Sequence, residues 1–448
     1  MIKRYLHFFL VLLFFCSAEN SFSQGNYKFL NNTKKQTIKF QLLSNLIVFP
    51  VEINGKELNF ILDSGVGKTI LFNINHNDSI PLFNTHKIKL QGLGEDDAVE
   101  AVLSENNVFK LKNIVGENQS LYVIFDDSFD LSSKMGLTIH GIIGYDILKD
   151  FVVTVNYNLK SLTFIAAESY KPKNCRKCEL LPIEFNSYKP YINVGVKLEA
   201  NPNKTIPVKL LIDSGGSDAM WLFENSAPEI VAPTKYFEDF LGEGLSGAVH
   251  GKRSIIEALV IGKFEFKKPT VSFPDSLSVA HALKFEERNG SIGASVLKRF
   301  VVTFNYPNNE ILFKKGSGFN DAFRYNMSGI ELVHNGKILV KENAGNSIKF
   351  GDKTQSDNKI ITLIDYSYKY TFKPSYKIYK ITEGSPAHKA GLKKDDILVK
   401  INGKYTYGMK FDEVVDYFYQ KEGMKINLVI ERNHQDYNFS FRLENAIN

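Results

Sequence analysis

Two short triplets in this chain could do chemistry together. Asp63-Ser64-Gly65 closes the apolar run Phe60-Ile61-Leu62, and Asp213-Ser214-Gly215 closes Leu210-Leu211-Ile212, 150 residues later. Each places a carboxylate at the end of a buried strand, where glycine permits a tight turn. Two equivalent carboxylates serve general acid–base hydrolysis: an ionised one takes a proton from water while a protonated one polarises a carbonyl. A single Asp-Ser-Gly would mean little; the pair, with its matching surroundings, means more.

Those surroundings repeat. Gly141-Ile142-Ile143-Gly144 begins 78 residues after Asp63, and Gly290-Ser291-Ile292-Gly293 begins 77 after Asp213. From there GIIGYDILKDFVVTVNYNLKSLTF (141–164) and GSIGASVLKRFVVTFNYPNNEILF (290–313) align without a gap, identical at 12 of 24 positions. So long a period implies two homologous lobes and not a solenoid.

On these motifs the chain resembles the pepsin/retropepsin clan of aspartic endopeptidases in a two-lobed, single-chain form, over roughly residues 40–315. In that clan each lobe carries Asp-Thr/Ser-Gly and, later, a hydrophobic-hydrophobic-Gly segment beneath the active turn. Ile142-Ile143-Gly144 matches; Ser291-Ile292-Gly293 departs at Ser291. The resemblance implies that Asp63 and Asp213 are the catalytic pair, that Gly65 and Gly215 shape their turns, and that Ser64 and Ser214 hydrogen-bond across the lobes. It also supplies the pairing physics as the known arrangement of the group: two carboxylates about 3 Å apart cannot both ionise, so they share one proton and titrate in two steps.

Between the motifs, each lobe has a Gly-rich stretch. Gly92-Leu93-Gly94 precedes Glu95-Asp96-Asp97, and Gly242-Glu243-Gly244-Leu245-Ser246-Gly247 precedes Gly251. Gly92, Gly94, Gly244 and Gly247 suit the tips of substrate-covering flaps, and ordinary surface turns would read the same way. Other signals fail. Gly67-Lys68-Thr69 lacks the earlier glycine of a phosphate-binding loop, since Leu62 stands there. No His-Glu-x-x-His pair and no Cys/His cluster of zinc spacing occurs, so no metal or other cofactor is expected.

The chain of 448 residues has room for about three domains of ordinary size. Hydrophobic residues make up 44%. Short Val-, Ile-, Phe- and Tyr-rich runs broken by Gly, Asn and Pro make it mainly β. The net charge of +6 comes from scattered lysines, which argues against a nucleic-acid partner.

Residues 1–23 read as a signal peptide. Lys3 and Arg4 precede the apolar stretch Phe8–Phe15, and Ser21 and Ser23 offer a cleavage site. Cys16 invites a lipoprotein reading, against which stand bulky Phe14 and Phe15. Loss of Lys3, Arg4 and Glu19 takes the charge from +6 to +5. No later segment is long and apolar enough for a transmembrane helix, so a periplasmic or secreted protein is expected. Export favours a disulfide between Cys175 and Cys178, which lie in the stretch 171–180 linking a first lobe (24–170) to a second (181–320).

The end of the chain differs. A strand from Tyr376 to Ile381 leads into Glu383-Gly384-Ser385-Pro386-Ala387, Ala390-Gly391-Leu392, Asp395-Asp396-Ile397-Leu398 and the turn Ile401-Asn402-Gly403. Phe411, Val414, Val415 and Phe418 then fall at helical spacing. This order resembles a PDZ domain of the bacterial protease-associated type, here 361–448. Phe372-Lys373-Pro374-Ser375 stands where a carboxylate-binding Gly-Leu-Gly-Phe loop would be, so strand addition is the open mode for a peptide ligand. Between the modules, 321–360 is expected to form a hairpin about Asn335-Gly336 (Ile330–Val340) and then a polar loop over Asn343–Asn358.

The expectation is an exported aspartic endopeptidase acting on peptides or proteins through water held between Asp63 and Asp213. Its PDZ-like domain would tether substrates or regulate access. The competing class is an exported, non-catalytic peptide-binding protein that works through the PDZ-like domain.

Overall fold

The computed structural model describes residues 25–74, 80–125, 132–172, 175–350 and 362–447. The expected export signal lies outside them. The chain is mainly β, and its strands form two lobe sheets, one shared sheet and a C-terminal sheet. Among the described residues no helix is long and apolar enough to cross a membrane.

In lobe one the run Phe60-Ile61-Leu62 ends the strand Lys56–Leu62, which pairs with Leu46–Ile53 on one side. On its other side lies the short strand Gly141–Ile143, in parallel, with Ile142 opposite Ile61 and Ile143 opposite Leu62. Lobe two repeats this arrangement. Ile206–Ile212 lies between Lys189–Lys197 and Gly290–Ile292. Ser291 takes its place opposite Leu211 and is itself buried, so the departure from the hydrophobic pattern leaves the pairing intact.

The second half of the duplicated stretch explains why it is duplicated. Phe151–Asn156 and Phe300–Asn305 pair antiparallel, Val153 opposite Phe304 and Val155 opposite Val302. They form the middle of a six-stranded sheet to which both lobes contribute. One apolar core runs through the lobes and this sheet, from Phe60, Ile143 and Val153 to Leu210, Ile292 and Phe304. Cys175 and Cys178 are joined as a disulfide where the linker enters the sheet at Cys178–Pro182.

The C-terminal sheet corrects one expectation. Residues Ile330–Phe350 form one long strand antiparallel to Thr362–Ile381, and not a hairpin followed by a loop. Asn335-Gly336 sits in a bulge, where the register shifts between His334 and Lys337 and Gly336 has φ of 68°. Such a glycine serves a hairpin turn or a bulge equally well. The choice was made by the partner strand, whose buried Tyr376 and Ile378 form a separate core with Ile330, Leu332, Leu398, Val414 and Phe418. The C-terminal module therefore starts ahead of residue 330, before the expected boundary at 361. Residues 351–358 of the expected loop lie outside the described residues.

The other local readings of this module hold. Ser385 caps the helix Pro386–Lys389 by accepting from the His388 amide, and Gly391 follows with φ of 88°. Buried Asp396 accepts two hydrogen bonds from Arg432, at 2.6 and 2.7 Å. Tyr325, just ahead of the module, packs its ring 5.6 Å from Phe237 of lobe two.

A chain ending at residue 324 should stay folded and soluble, whereas one ending at 375 should aggregate. The latter keeps Ile330 and Leu332 without the strand that covers them, each exposing a side chain worth about 1.5–3 kcal/mol when buried. Circular dichroism and sedimentation of the two truncations check this.

Candidate active site

The two Asp-Ser-Gly turns meet where the lobes join. The Ser64 amide donates to the Ser214 hydroxyl (2.9 Å) and the Ser214 amide to the Ser64 hydroxyl (3.0 Å). Each hydroxyl then donates to the carbonyl just ahead of the opposite turn, Ser64 to Ile212 (2.6 Å) and Ser214 to Leu62 (2.8 Å). Both serines are fully buried. The four bonds satisfy both serine amides and both hydroxyls, and they tie the carboxylate-bearing turns together.

Asp63 and Asp213 come together above the knot. The Asp63 amide donates to Ile143 and the Asp213 amide to Ile292, both at 2.9 Å, so each turn is anchored from beneath by its short parallel strand. Close approach explains the glycines. A Cβ on Gly215 would stand 2.3 Å from the Asp63 carboxylate, and one on Gly65 would stand 3.3 Å from that of Asp213.

The two carboxylates differ electrically. Asp63 accepts one backbone hydrogen bond, from Gly65 (2.7 Å). Asp213 accepts two, from Gly215 (3.0 Å) and Gly216 (2.8 Å), and the Arg288 guanidinium lies near it. Burial, and then the neighbouring Asp213 charge, push Asp63 up to about 8. Asp213 is also raised by burial, but Arg288 and its two amides pull against that shift. The pair shares a proton, and the second amide and the nearby guanidinium favour the charge on Asp213 over Asp63.

The Gly-rich stretches belong to two long hairpins whose tips touch each other. In lobe one the tip joins His86–Leu90 to Val99–Leu111; in lobe two it joins Phe237–Gly244 to Gly247–Ile255. Asp96 donates its amide to Ser246 and Ser246 its amide to Leu93, both at 2.8 Å, while the Gly92 amide reaches the Ser246 hydroxyl at 3.1 Å. Gly94 needs a positive φ of 121°, and a Cβ there would stand 2.0 Å from the Ser246 carbonyl oxygen. Gly244 and Gly247 lie at the same crossing, close to Leu93 and Asp96. The tips exchange leucines. Leu245 joins the lobe-one cluster that includes Val66, three residues past Asp63, and Leu93 joins Phe223, Val279 and Ala282 of lobe two.

Sequence reasoning missed the cations of this site. Lys189 is half-buried and Arg288 fully buried, and both act on the aspartates. Neither stands in a motif. Strand register brings Lys189 opposite Asp213, and the turn ahead of Gly290–Ile292 brings Arg288. Missed too was the loop that precedes the first PDZ strand, Asn326–Gly329, which the displaced module boundary concealed. The amides of Met327, Ser328 and Ile330 donate within the domain, to Phe418 O, Asn326 Oδ1 and Ser328 Oγ. They are not aimed at an incoming carboxylate. Ile330–Phe350 is an edge strand of its sheet.

Comparison with known proteins agrees with this architecture. Residues 49–147 match the aspartyl protease family and residues 377–432 the PDZ domain family. The chain thus joins an aspartyl protease domain to a C-terminal PDZ domain. It is 34% identical over 62 residues to the "Probable CtpA-like serine protease" of Staphylococcus aureus (strain COL), covering 14% of this chain and 12% of that protein. It is 44% identical over 50 residues to the "Carboxy-terminal processing protease CtpA" of Bacillus subtilis (strain 168), 11% of each. The chain spans about a tenth of the length of these relatives, too little to carry their catalytic type across.

Ser64→Ala should cost roughly 3 kcal/mol of stability, because it strands the buried Ser214 amide and Ile212 carbonyl together. Urea unfolding measures it. The Asp63 shift carries a second expectation. Its folded-state pKa is raised, so the native state binds the extra proton and stability falls as pH rises from the ordinary carboxylate range to about 8. Asp63→Asn should flatten this slope and raise the melting temperature at pH 7 more than at pH 4, as calorimetry across that range would show.

Proposed function

We propose that this chain is an exported aspartic endopeptidase. The observation that carries the reading is the tied pair of turns, which holds two carboxylates of unequal proton affinity at one point between two flap-bearing lobes. A peptide lying across Asp63 and Asp213 meets a protonated acid and an ionised base. Asp213 takes a proton from a water as that water attacks the scissile carbonyl, and Asp63 donates its proton to the carbonyl oxygen. In the tetrahedral diol that forms, Asp213 holds the water's proton. It passes that proton to the departing amine as the C–N bond breaks, and Asp63 recovers its own from the diol hydroxyl. Closed flaps keep bulk water from this exchange.

The PDZ domain contributes no group to that chemistry. Its fitting role is to hold protein substrates by strand addition, raising their concentration at the cleft. Export is supported by the character of residues 1–23 and by the Cys175–Cys178 disulfide.

The protein lacking residues 1–23 should cleave members of a peptide library. Asp63→Asn and Asp213→Asn should each lower kcat/KM by about a thousandfold or more while circular dichroism is unchanged, since two groups serving one water are lost together. Full activity in either variant rejects the pair. Failure of the parent protein to cut any peptide between pH 3 and 8 favours the peptide-binding alternative.

A further inference from the structure

The lobes are duplicates, so each residue around Asp63 has a counterpart around Asp213. Continuing the register Val48 opposite Ile61 places Leu46 opposite Asp63; continuing Tyr191 opposite Leu211 places Lys189 opposite Asp213. Phe72 donates its amide to the carbonyl of His140, and Phe223 to that of Asn289. The residues just before those acceptors are Ile139 and Arg288. Lobe one thus presents Leu46, Val48, Phe72 and Ile139, all buried in one apolar cluster. Lobe two presents Lys189, Tyr191, Phe223 and Arg288 in the same four places.

That replacement is costly for a wall with only a structural task. Two cations share a water-poor site, and burial lowers the proton affinity of both. Arg288 is held in place by its Nε bond to the Gly290 carbonyl (3.2 Å), by the Tyr191 phenol, and by the Phe223 ring 5.1 Å away. Among the described residues neither cation forms an ion pair with a carboxylate, and the acids that face them are Asp63 and Asp213. His281 and Lys284 add nothing negative; His281 is itself held less basic by burial and by Lys284, Lys189 and Arg288. The flap carboxylate Glu95 is taken up by the Ser278 hydroxyl at 2.9 Å. Two cations, Arg288 held by these contacts and Lys189 at the rim, therefore stand beside an aspartate pair that shares one proton. The excess is positive, beside the reacting centre and on one side of it.

We propose that Lys189 and Arg288 form an anion-selective subsite in lobe two that takes the carboxylate side chain of a substrate residue flanking the scissile bond. This rests on the reading of the chain as an aspartic endopeptidase. Lys189, at the half-exposed rim, meets the carboxylate, and Arg288 supplies the fixed charge behind it. The counterpart place in lobe one is apolar, so the two sides of the cut are recognised by different chemistry.

A randomised library cleaved by the protein lacking residues 1–23 locates the more restricted flanking position. Matched peptides with Glu or Gln there then give kcat/KM. The expected Glu preference is about tenfold or more, falling towards one in Lys189→Leu and reversing in favour of Lys in Lys189→Glu. A library with no acidic preference at either flanking position overturns the proposal. So does a Lys189→Leu enzyme whose Glu-to-Gln ratio is unchanged while its pH profile moves, because Lys189 would then only tune the aspartates. Affinities of the uncut peptides for the Asp63→Asn protein give the same comparison without turnover. Equal dissociation constants overturn the subsite. Tighter binding of the Glu peptide with no cleavage by the parent protein keeps the subsite and rejects proteolysis.

Discussion

The site depends on one constraint: two buried serines must satisfy each other's turn across the lobe boundary. Ser64 and Ser214 each accept the other's amide and each donate to the carbonyl ahead of the other's turn. Neither lobe alone can meet these groups, and an unmet buried amide or carbonyl is expensive. The knot therefore sets the distance between the carboxylates, and the rest of the architecture serves it. The short parallel strands Gly141–Ile143 and Gly290–Ile292 hold the turns from below, and the shared six-stranded sheet fixes the lobes that carry them.

Within that symmetric frame the chemistry is asymmetric. One backbone amide reaches Asp63 and two reach Asp213, and the cations stand on the Asp213 side. A symmetric pair would share its proton without preference. Here the second amide and the guanidinium favour the charge on Asp213. The same divergence between duplicates gives the two walls of the cleft different polarity, apolar beside Asp63 and cationic beside Asp213.

The flaps and the PDZ domain show how the chain closes around this centre. Each flap tip inserts a leucine into the opposite lobe, so the roof is made by both halves at once. The PDZ domain has its own core and meets lobe two through Tyr325 and Phe237. Its edge strand Ile330–Phe350 begins just past that contact and packs against lobe one, where His334 lies against Gly136.

Much of this was legible in residue order alone. The paired triplets, the duplicated stretch and the alternating apolar runs are local patterns, and local patterns survive in sequence because turns, strand faces and helix caps are set by neighbours. Ser385, Pro386 and Gly391 were readable for the same reason. Asn335-Gly336 was not, because a left-handed glycine is compatible with a hairpin or a bulge, and only the buried partners Tyr376 and Ile378 chose between them. Lys189 and Arg288 were illegible for a deeper reason. Nothing near them in the chain marks them, and they acquire meaning only when strand register brings Lys189 opposite Asp213 and the fold buries Arg288 beside it. The sequence by itself determined the lobes, the turns and the identity of the two carboxylates. The tertiary structure decided which donors and charges surround each carboxylate, because electrostatic environment is set by distance in space and burial, which residue order does not record.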